Sequence, residues 1–177
     1  MERLWSPWRL AYVTGTSNEP DRCIFCDVPT VPASEDDGSR GSLVLVHGRV
    51  CYVILNLYPY NNGHLMVVPN RHVAALALAT PGELGEMMRL TQAAEMAVTE
   101  AYHPQGINVG MNLGRPAGAG VADHMHIHVV PRWTGDTNFM SLVGNVRVLP
   151  EDLEQTGNRL RPIFERILSG QPAAGSR

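Results

Sequence analysis

The sequence predicts an α+β domain on an antiparallel sheet of about five strands, with one long helix and one C-terminal helix. Three observations carry that reading. Short apolar runs are joined by turn residues rather than by long crossovers. The segment 81–101 keeps helical spacing of its apolar residues throughout. Residues 124–130 read His-Met-His-Ile-His-Val-Val, the two-residue period of a strand.

Residues 1–22 form an arm with Trp5, Pro7, Trp8, Arg9 and Tyr12, aromatic enough to pack on the domain or on a partner subunit. The core domain is expected over 23–168. Residues 34–42 are polar and glycine-bearing, hence a loop. Leu43 to Val46 and Val50 to Leu57 read as strands around a turn at His47-Gly48. Asn61-Asn62-Gly63 is a second turn, followed by a strand from His64 to Pro69.

The long helix starts with Thr80 as N-cap, Pro81 in the first position and Glu83 in the opening turn. Its expected apolar face is Leu84, Met87, Met88, Thr91, Ala94, Met96 and Val98, with the methionines serving core or subunit interface. Ile107 to Met111 is a short strand, residues 114–120 are a glycine-rich loop, and the histidine strand follows. Pro150 and the stretch to Leu168 predict a terminal helix, and 169–177 a flexible tail.

A chain of 177 residues with formal charge −3 fits one domain and has no basic field that would favour nucleic acid. No run of eighteen apolar residues and no signal pattern occurs, so a cytoplasmic protein without membrane association is expected. The three cysteines suit a reducing compartment. Cys51, inside an apolar run, reads as a small buried hydrophobe. Cys23 and Cys26 form C-x-x-C, but Pro29 and Pro32 follow where a redox motif would open a helix, so half a zinc site fits better.

In a strand, His124, His126 and His128 line one face at spacings of roughly 6.6 Å, while Met125, Ile127 and Val129 pack behind. Three imidazoles so placed can bracket one small charged group. Imidazole serves as nucleophile, proton donor or metal ligand near neutral pH, so covalent catalysis and metal binding are both open from these residues alone. Asn112 and the backbone of Gly118, Ala119 and Gly120 precede the triad. Glycines there allow an anion-binding nest or a simple turn.

His124-x-His126-x-His128, followed by apolar residues and Pro131-Arg132, resembles the signature of the histidine triad (HIT) superfamily of nucleotide hydrolases and transferases. Asn56…Gly63-His64 and Pro69-x-x-His72 resemble other segments of that family, so the resemblance spans about residues 23 to 135. Trp133-Thr134-Gly135-Asp136-Thr137-Asn138-Phe139, with Asn112-Leu113-Gly114, looks most like the bacterial diadenosine tetraphosphate phosphorylase branch.

The resemblance implies a HIT fold, a homodimer pairing helix 81–101 and an edge strand across a two-fold axis, and a nucleotide substrate. It implies His126 as the nucleophile that forms a nucleotidyl-histidine, with its tautomer fixed by a backbone carbonyl near His124. His128 would contact the phosphate or bridging oxygen and aid proton transfer to the leaving group, supported by His64. Asn56 would bind ribose hydroxyls, with Ile54 and Leu57 either sandwiching a base or serving the core. Asn112, Gly118, Ala119, Gly120 and Trp133 would complete substrate binding. Cys23, Cys26, His72 and His124 match the zinc ligands of several relatives, and such a Cys₂His₂ set is a closed structural site. His47 and His103 match nothing and are expected at the surface.

Two departures bear on the substrate. Related uridylyltransferases have glutamine where His128 stands, so hexose-1-phosphate exchange is disfavoured. The loop Ala117-Gly118-Ala119-Gly120-Val121-Ala122-Asp123 is one residue longer than the hydrolase pattern Ala-Gly-Gln-x-Val, and Gly120 replaces a serine of the phosphorylase branch. The expected activity is cleavage of dinucleoside polyphosphates, with inorganic phosphate or water as acceptor; for diadenosine tetraphosphate and phosphate the products are ADP and ATP. The alternatives are a hydrolase of nucleoside phosphoramidates or adenylyl sulfate, and a zinc-stabilised nucleotide-binding module without turnover.

Overall fold

The computed structural model describes residues 23–28, 43–136 and 151–170. The arm 1–22, the loop 34–42, Thr137-Asn138-Phe139 and residues 171–177 of the tail lie outside the described residues. Five strands form one sheet: β1 Val44–His47, β2 Cys51–Leu55, β3 Leu65–Pro69, β4 Gly106–Gly110 and β5 Ile127–Arg132. Their order is β1-β2-β3-β5-β4, and every pairing is antiparallel. Helices α1 Pro81–Tyr102 and α2 Leu153–Leu168 complete the predicted α+β architecture. Because β5 lies between β3 and β4, the histidine-bearing strand is held by ladders on both sides.

Strands β2 and β3 are buried along their whole length and read as continuous apolar runs, since both faces of the sheet are covered. One face carries Val53, Leu55, Leu65, Val67, Ile127 and Val129 against Met87, Leu90, Ala94 and Val98 of α1 and Leu160 and Phe164 of α2. Burying a side chain of Leu, Met or Phe size contributes roughly 1.5–3 kcal/mol. The other face carries Tyr52, Ile54, Met66 and Val68 under Phe25 and Val28. The Tyr52 hydroxyl donates to the Phe25 carbonyl at 2.9 Å and fastens segment 23–28 to the sheet.

Helix α1 begins as its sequence requires. Thr80 is the N-cap, its hydroxyl accepts from the Glu83 N–H, and the Glu83 carboxylate accepts from the Thr80 N–H. The expected apolar face needs correction. The sheet-facing stripe is Glu83, Met87, Leu90, Thr91, Ala94, Ala97 and Val98, whereas Leu84, Met88 and Met96 are exposed. The polar head of that stripe is neutralised by Arg71, whose guanidinium forks onto Glu83 at 2.8 and 2.9 Å.

The histidine strand also starts later than predicted, at Ile127 rather than His124. Its partner β3 ends at Pro69, which has no N–H to extend the ladder opposite Met125. The Met125 N–H turns instead to the Val73 carbonyl at 2.7 Å. Strand β2 ends at Leu55 rather than Leu57, because the Asn56 N–H closes the hairpin on the His64 carbonyl. The terminal helix starts at Leu153, capped by Asp152.

Candidate active site

His128 pairs in register with Met66 of β3 and Gly110 of β4, which fixes it on the face away from the helices. His126, just before the strand, sits with its ring 4.8 Å from that of His128. Both the His126 and His124 rings meet Phe25, at 5.0 and 5.5 Å. Met125, Ile127 and Val129 enter the opposite core, so the predicted two-sided alternation holds even where the regular strand has ended.

Donor and acceptor roles follow from partners that can act only one way. A carbonyl only accepts, so His126 Nδ1, 2.9 Å from the His124 carbonyl, carries the proton. Its Nε2 then bears the lone pair. Burial holds this imidazole below its ordinary pKa and keeps it neutral. A backbone N–H only donates, so the Tyr60 N–H at 3.0 Å requires a bare Nδ1 on His64. The Asn56 amide nitrogen lies 3.3 Å from the same atom and 3.5 Å from Nε2, so the Tyr60 N–H decides. The His64 proton is therefore on Nε2, which donates at 2.9 Å to His128 Nδ1. His128 in turn carries its own proton on Nε2.

His124 turns its ring the other way. Its Nε2–H donates to the Pro69 carbonyl at 2.8 Å, which leaves Nδ1 facing Cys23 Sγ at 3.3 Å and Cys26 Sγ at 3.5 Å. His72 Nδ1 lies 3.2 Å from Cys26 Sγ, and the four candidate ligand atoms fall within 4.8 Å of one another. Zinc–sulfur and zinc–nitrogen bonds of about 2.3 and 2.0–2.1 Å at a tetrahedral angle put S and N roughly 3.6 Å apart, close to these distances. The His124–Pro69 bond is the carbonyl contact that orients a ligating imidazole. Burial, and then the neighbouring Cys23, push the Cys26 thiol up to about 11. The donor set fits a tetrahedral metal.

The loop before the triad differs from the expected nest. Residues 115–117 form a 3₁₀ turn between Gly114 and Gly118, both at positive φ. The Gly118 N–H donates to Arg115 and the Ala119 N–H to Gly114, so in this conformation both close the loop on itself. Asn112 donates to the Gly118 carbonyl at 3.3 Å, and Gly120 is exposed. The Asn56 oxygen accepts from the Tyr58 N–H at 3.0 Å. Ile54 is core, Leu57 is exposed, and Trp133 is half-buried, its backbone N–H donating to Asp136 Oδ2 at 3.4 Å. His47 and His103 are exposed, as expected. His103 also has a backbone task, closing α1 in the left-handed conformation at φ 46°.

Sequence reasoning missed Tyr60, Asn61, Phe25 and Asp136. The ring of Tyr60 lies 4.7 Å from that of His64 and 6.0 Å from that of His128. Phe25, between the two cysteines, was legible as the one aromatic in a candidate metal loop. The Asn61 side chain finds its partners 70 and 75 residues on, at Pro131 and Asp136, and left no local signal, whereas Asp136 also pairs with Arg132 four residues before it.

The HIT domain family model matches residues 39–135. The chain is 41% identical over 173 residues to a protein of Mycobacterium tuberculosis named AP-4-A phosphorylase, covering 94% of this chain and 86% of that relative. It superposes on the crystal structure of a zinc-bound histidine triad family protein from Mycobacterium smegmatis with TM-score 0.65 and 29% identity, over 84% of this chain and 97% of the other. A uridylyltransferase mutant shares the fold at TM-score 0.66 and 13% identity, over 92% of this chain and 53% of that one. With its triad, sheet order and sequence in agreement, this chain belongs to the histidine triad (HIT) family.

Proposed function

We propose that this protein is a nucleotidyl-transferring enzyme that cleaves dinucleoside polyphosphates, with His126 as nucleophile. The observation that carries the reading is the His126 Nδ1–H bond to the His124 carbonyl, which presents a neutral Nε2 beside His128. The family and the M. tuberculosis relative named AP-4-A phosphorylase support the substrate class.

Nε2 of His126 attacks the α-phosphorus, an N–P bond forms, and the P–O bond to the leaving polyphosphate breaks. Attack makes the imidazole cationic, and the Nδ1–H bond to the carbonyl stabilises that charge. The leaving phosphate has a second pKa of about 6 and departs as an anion. A hydrogen bond from His128 Nε2–H is therefore sufficient, where the family resemblance implied help with proton transfer. Inorganic phosphate or water then displaces His126 from phosphorus, giving ADP or AMP beside ATP when the substrate is diadenosine tetraphosphate.

Asn112, Gly118, Ala119 and Gly120 hold the phosphates, after a shift that frees the Gly118 and Ala119 N–H groups. Trp133 stacks on a nucleoside. Asn56, whose amide has two donor hydrogens, keeps one for a ribose hydroxyl. Zinc held by Cys23, Cys26, His72 and His124 would supply structural cross-linking, fastening Phe25 over His126 and orienting His124. The dimer joins the exposed Met88 and Met96 of α1 and the edge strand β4, where Val109 is exposed. The thiol pair suits the reducing cytoplasm, and no described helix is long and apolar enough to cross a membrane.

Incubation with diadenosine tetraphosphate, with and without inorganic phosphate, tests the reading. Phosphate-dependent ADP plus ATP supports a phosphorylase, and AMP plus ATP in both buffers a hydrolase. No product in either contradicts dinucleoside polyphosphate cleavage and favours phosphoramidates, adenylyl sulfate or a binding module.

A further inference from the structure

The turn that carries His64 is tied to the far end of the strand that carries His128. The Asn61 side chain, 7% exposed, uses both amide hydrogens: one bonds the Pro131 carbonyl at 2.9 Å and the other Asp136 Oδ2 at 2.7 Å. Asp136 is itself clamped by Arg132 of β5, whose Nη2 donates to Oδ1 at 2.9 Å, and Arg132 Nη1 donates to the Asn108 side-chain oxygen of β4 at 3.0 Å. On its backbone side, the Asn61 carbonyl accepts from the His64 N–H at 3.2 Å. The preceding residue, Tyr60, supplies the N–H that keeps His64 Nδ1 bare.

We infer that Asn61 and Asp136 are positioning residues that set the proton of the leaving-group histidine: they hold the Tyr60 N–H on His64 and thereby keep the His128 proton on Nε2. The inference rests on the nucleotidyl-transfer reading above. Ladder pairing of β3 with β5 places the two histidine backbones but does not choose tautomers. The choice is made by the donors at Nδ1, of which the Tyr60 N–H at 3.0 Å is nearer than the Asn56 amide at 3.3 Å, and the turn that carries Tyr60 is anchored to the end of β5 by Asn61. Loss of the anchor lets the turn drift, and the His64 proton redistributes between Nδ1 and Nε2. His128 then spends part of its time with its proton on Nδ1, unable to donate to the departing oxygen. Neither residue touches the reacting atoms; both act through His64.

Two measurements on the full-length protein test this. The first is ¹⁵N spectroscopy of histidine-labelled wild type, Asn61→Ala and Asp136→Asn. Expected are a single His64 tautomer protonated at Nε2 in wild type, a mixture in Asn61→Ala, and the wild-type pattern in Asp136→Asn, which keeps an oxygen for Asn61. The second is turnover of AMP aryl esters whose phenols range from dinitro-substituted to unsubstituted. Asn61→Ala should lower kcat for the phenyl ester roughly 10²-fold, the loss a misplaced group brings, with KM little changed and the dinitrophenyl ester nearly unaffected. An equal loss on all esters, or a wild-type His64 tautomer in Asn61→Ala, overturns the inference. A wild type inert toward every ester and toward diadenosine tetraphosphate overturns the nucleotidyl-transfer reading instead, and the spectra alone then decide the role of Asn61.

Discussion

His126 Nδ1 and the backbone carbonyl of His124 lie 2.9 Å apart, so one residue of the triad uses its main chain to set the proton of another. The side chain of His124 is thereby free to face Cys23 and Cys26. Two neighbouring histidines thus turn different ways, His124 toward the two cysteines and His126 toward the site proposed for substrate. Replacing His126 with Ala should reduce turnover by roughly 10⁴-fold or more, as for other covalent nucleophiles. Steady-state rates together with metal analysis check this: zinc content should stay at wild-type level.

The metal set gives a separable expectation. Cys26→Ser, measured by metal analysis after purification with zinc, should lose most bound metal, since it removes the thiol that lies near both His72 and His124. The thermal midpoint should drop, because segment 23–28 would lose its metal tie to His72 and His124 while keeping contacts such as the Tyr52 bond and the packing of Phe25 and Val28. A variant that retains full zinc occupancy and stability would contradict the Cys₂His₂ assignment.

Gly63 stands at φ +73°, and an added Cβ would lie 2.8 Å from the Tyr102 ring. Gly63→Ala should cost on the order of 2 kcal/mol from backbone strain and overlap together. It should also lower activity, because the next residue is His64. Urea denaturation read alongside kcat checks both effects.

At the C-terminal end of α1, His103 holds the left-handed cap at φ 46°. His103→Gly should raise stability by about 1 kcal/mol at most, since glycine adopts this conformation without the Cβ penalty. Its added freedom when unfolded offsets part of the gain. Activity should be unchanged.

Acid should weaken the α1 N-terminus in a defined window. The Arg71 guanidinium, and then the Thr80 N–H, hold the Glu83 carboxyl down at about 2, against 4.5 ordinarily. A folded pKa below the unfolded one means the contribution is full above pH 4.5 and fades as pH falls toward 2. The stability gap between wild type and Glu83→Gln in urea should accordingly be constant from pH 7 to 5 and shrink below 4.5.

Local pattern made the triad, the capped helix and the strand cores legible, because alternation and capping are properties of neighbouring residues. The late start of β5 was hidden, since it depends on Pro69 arriving opposite Met125 across the sheet. Likewise Met88 and Met96 look like core at helical spacing, and only the placement of Glu83 on the sheet-facing stripe turns them outward. Spacing offered Cys23 and Cys26 as half a site; His72 and His124 came from family resemblance, and the fold is what brings all four together. The contact between Asn61 and Asp136, 75 residues apart, carried no signal before the β5 end and the His64 turn were seen together.

The central claim is a covalent nucleotidyl-His126 intermediate. Rapid acid-free quenching of the enzyme with diadenosine tetraphosphate in the absence of inorganic phosphate, followed by intact-protein and peptide mass analysis, addresses it directly. Expected is a transient gain of one adenylyl group on the peptide containing His126, absent in His126→Ala. Product formation with no adduct at any time in wild type, or turnover undiminished in His126→Ala, would contradict it.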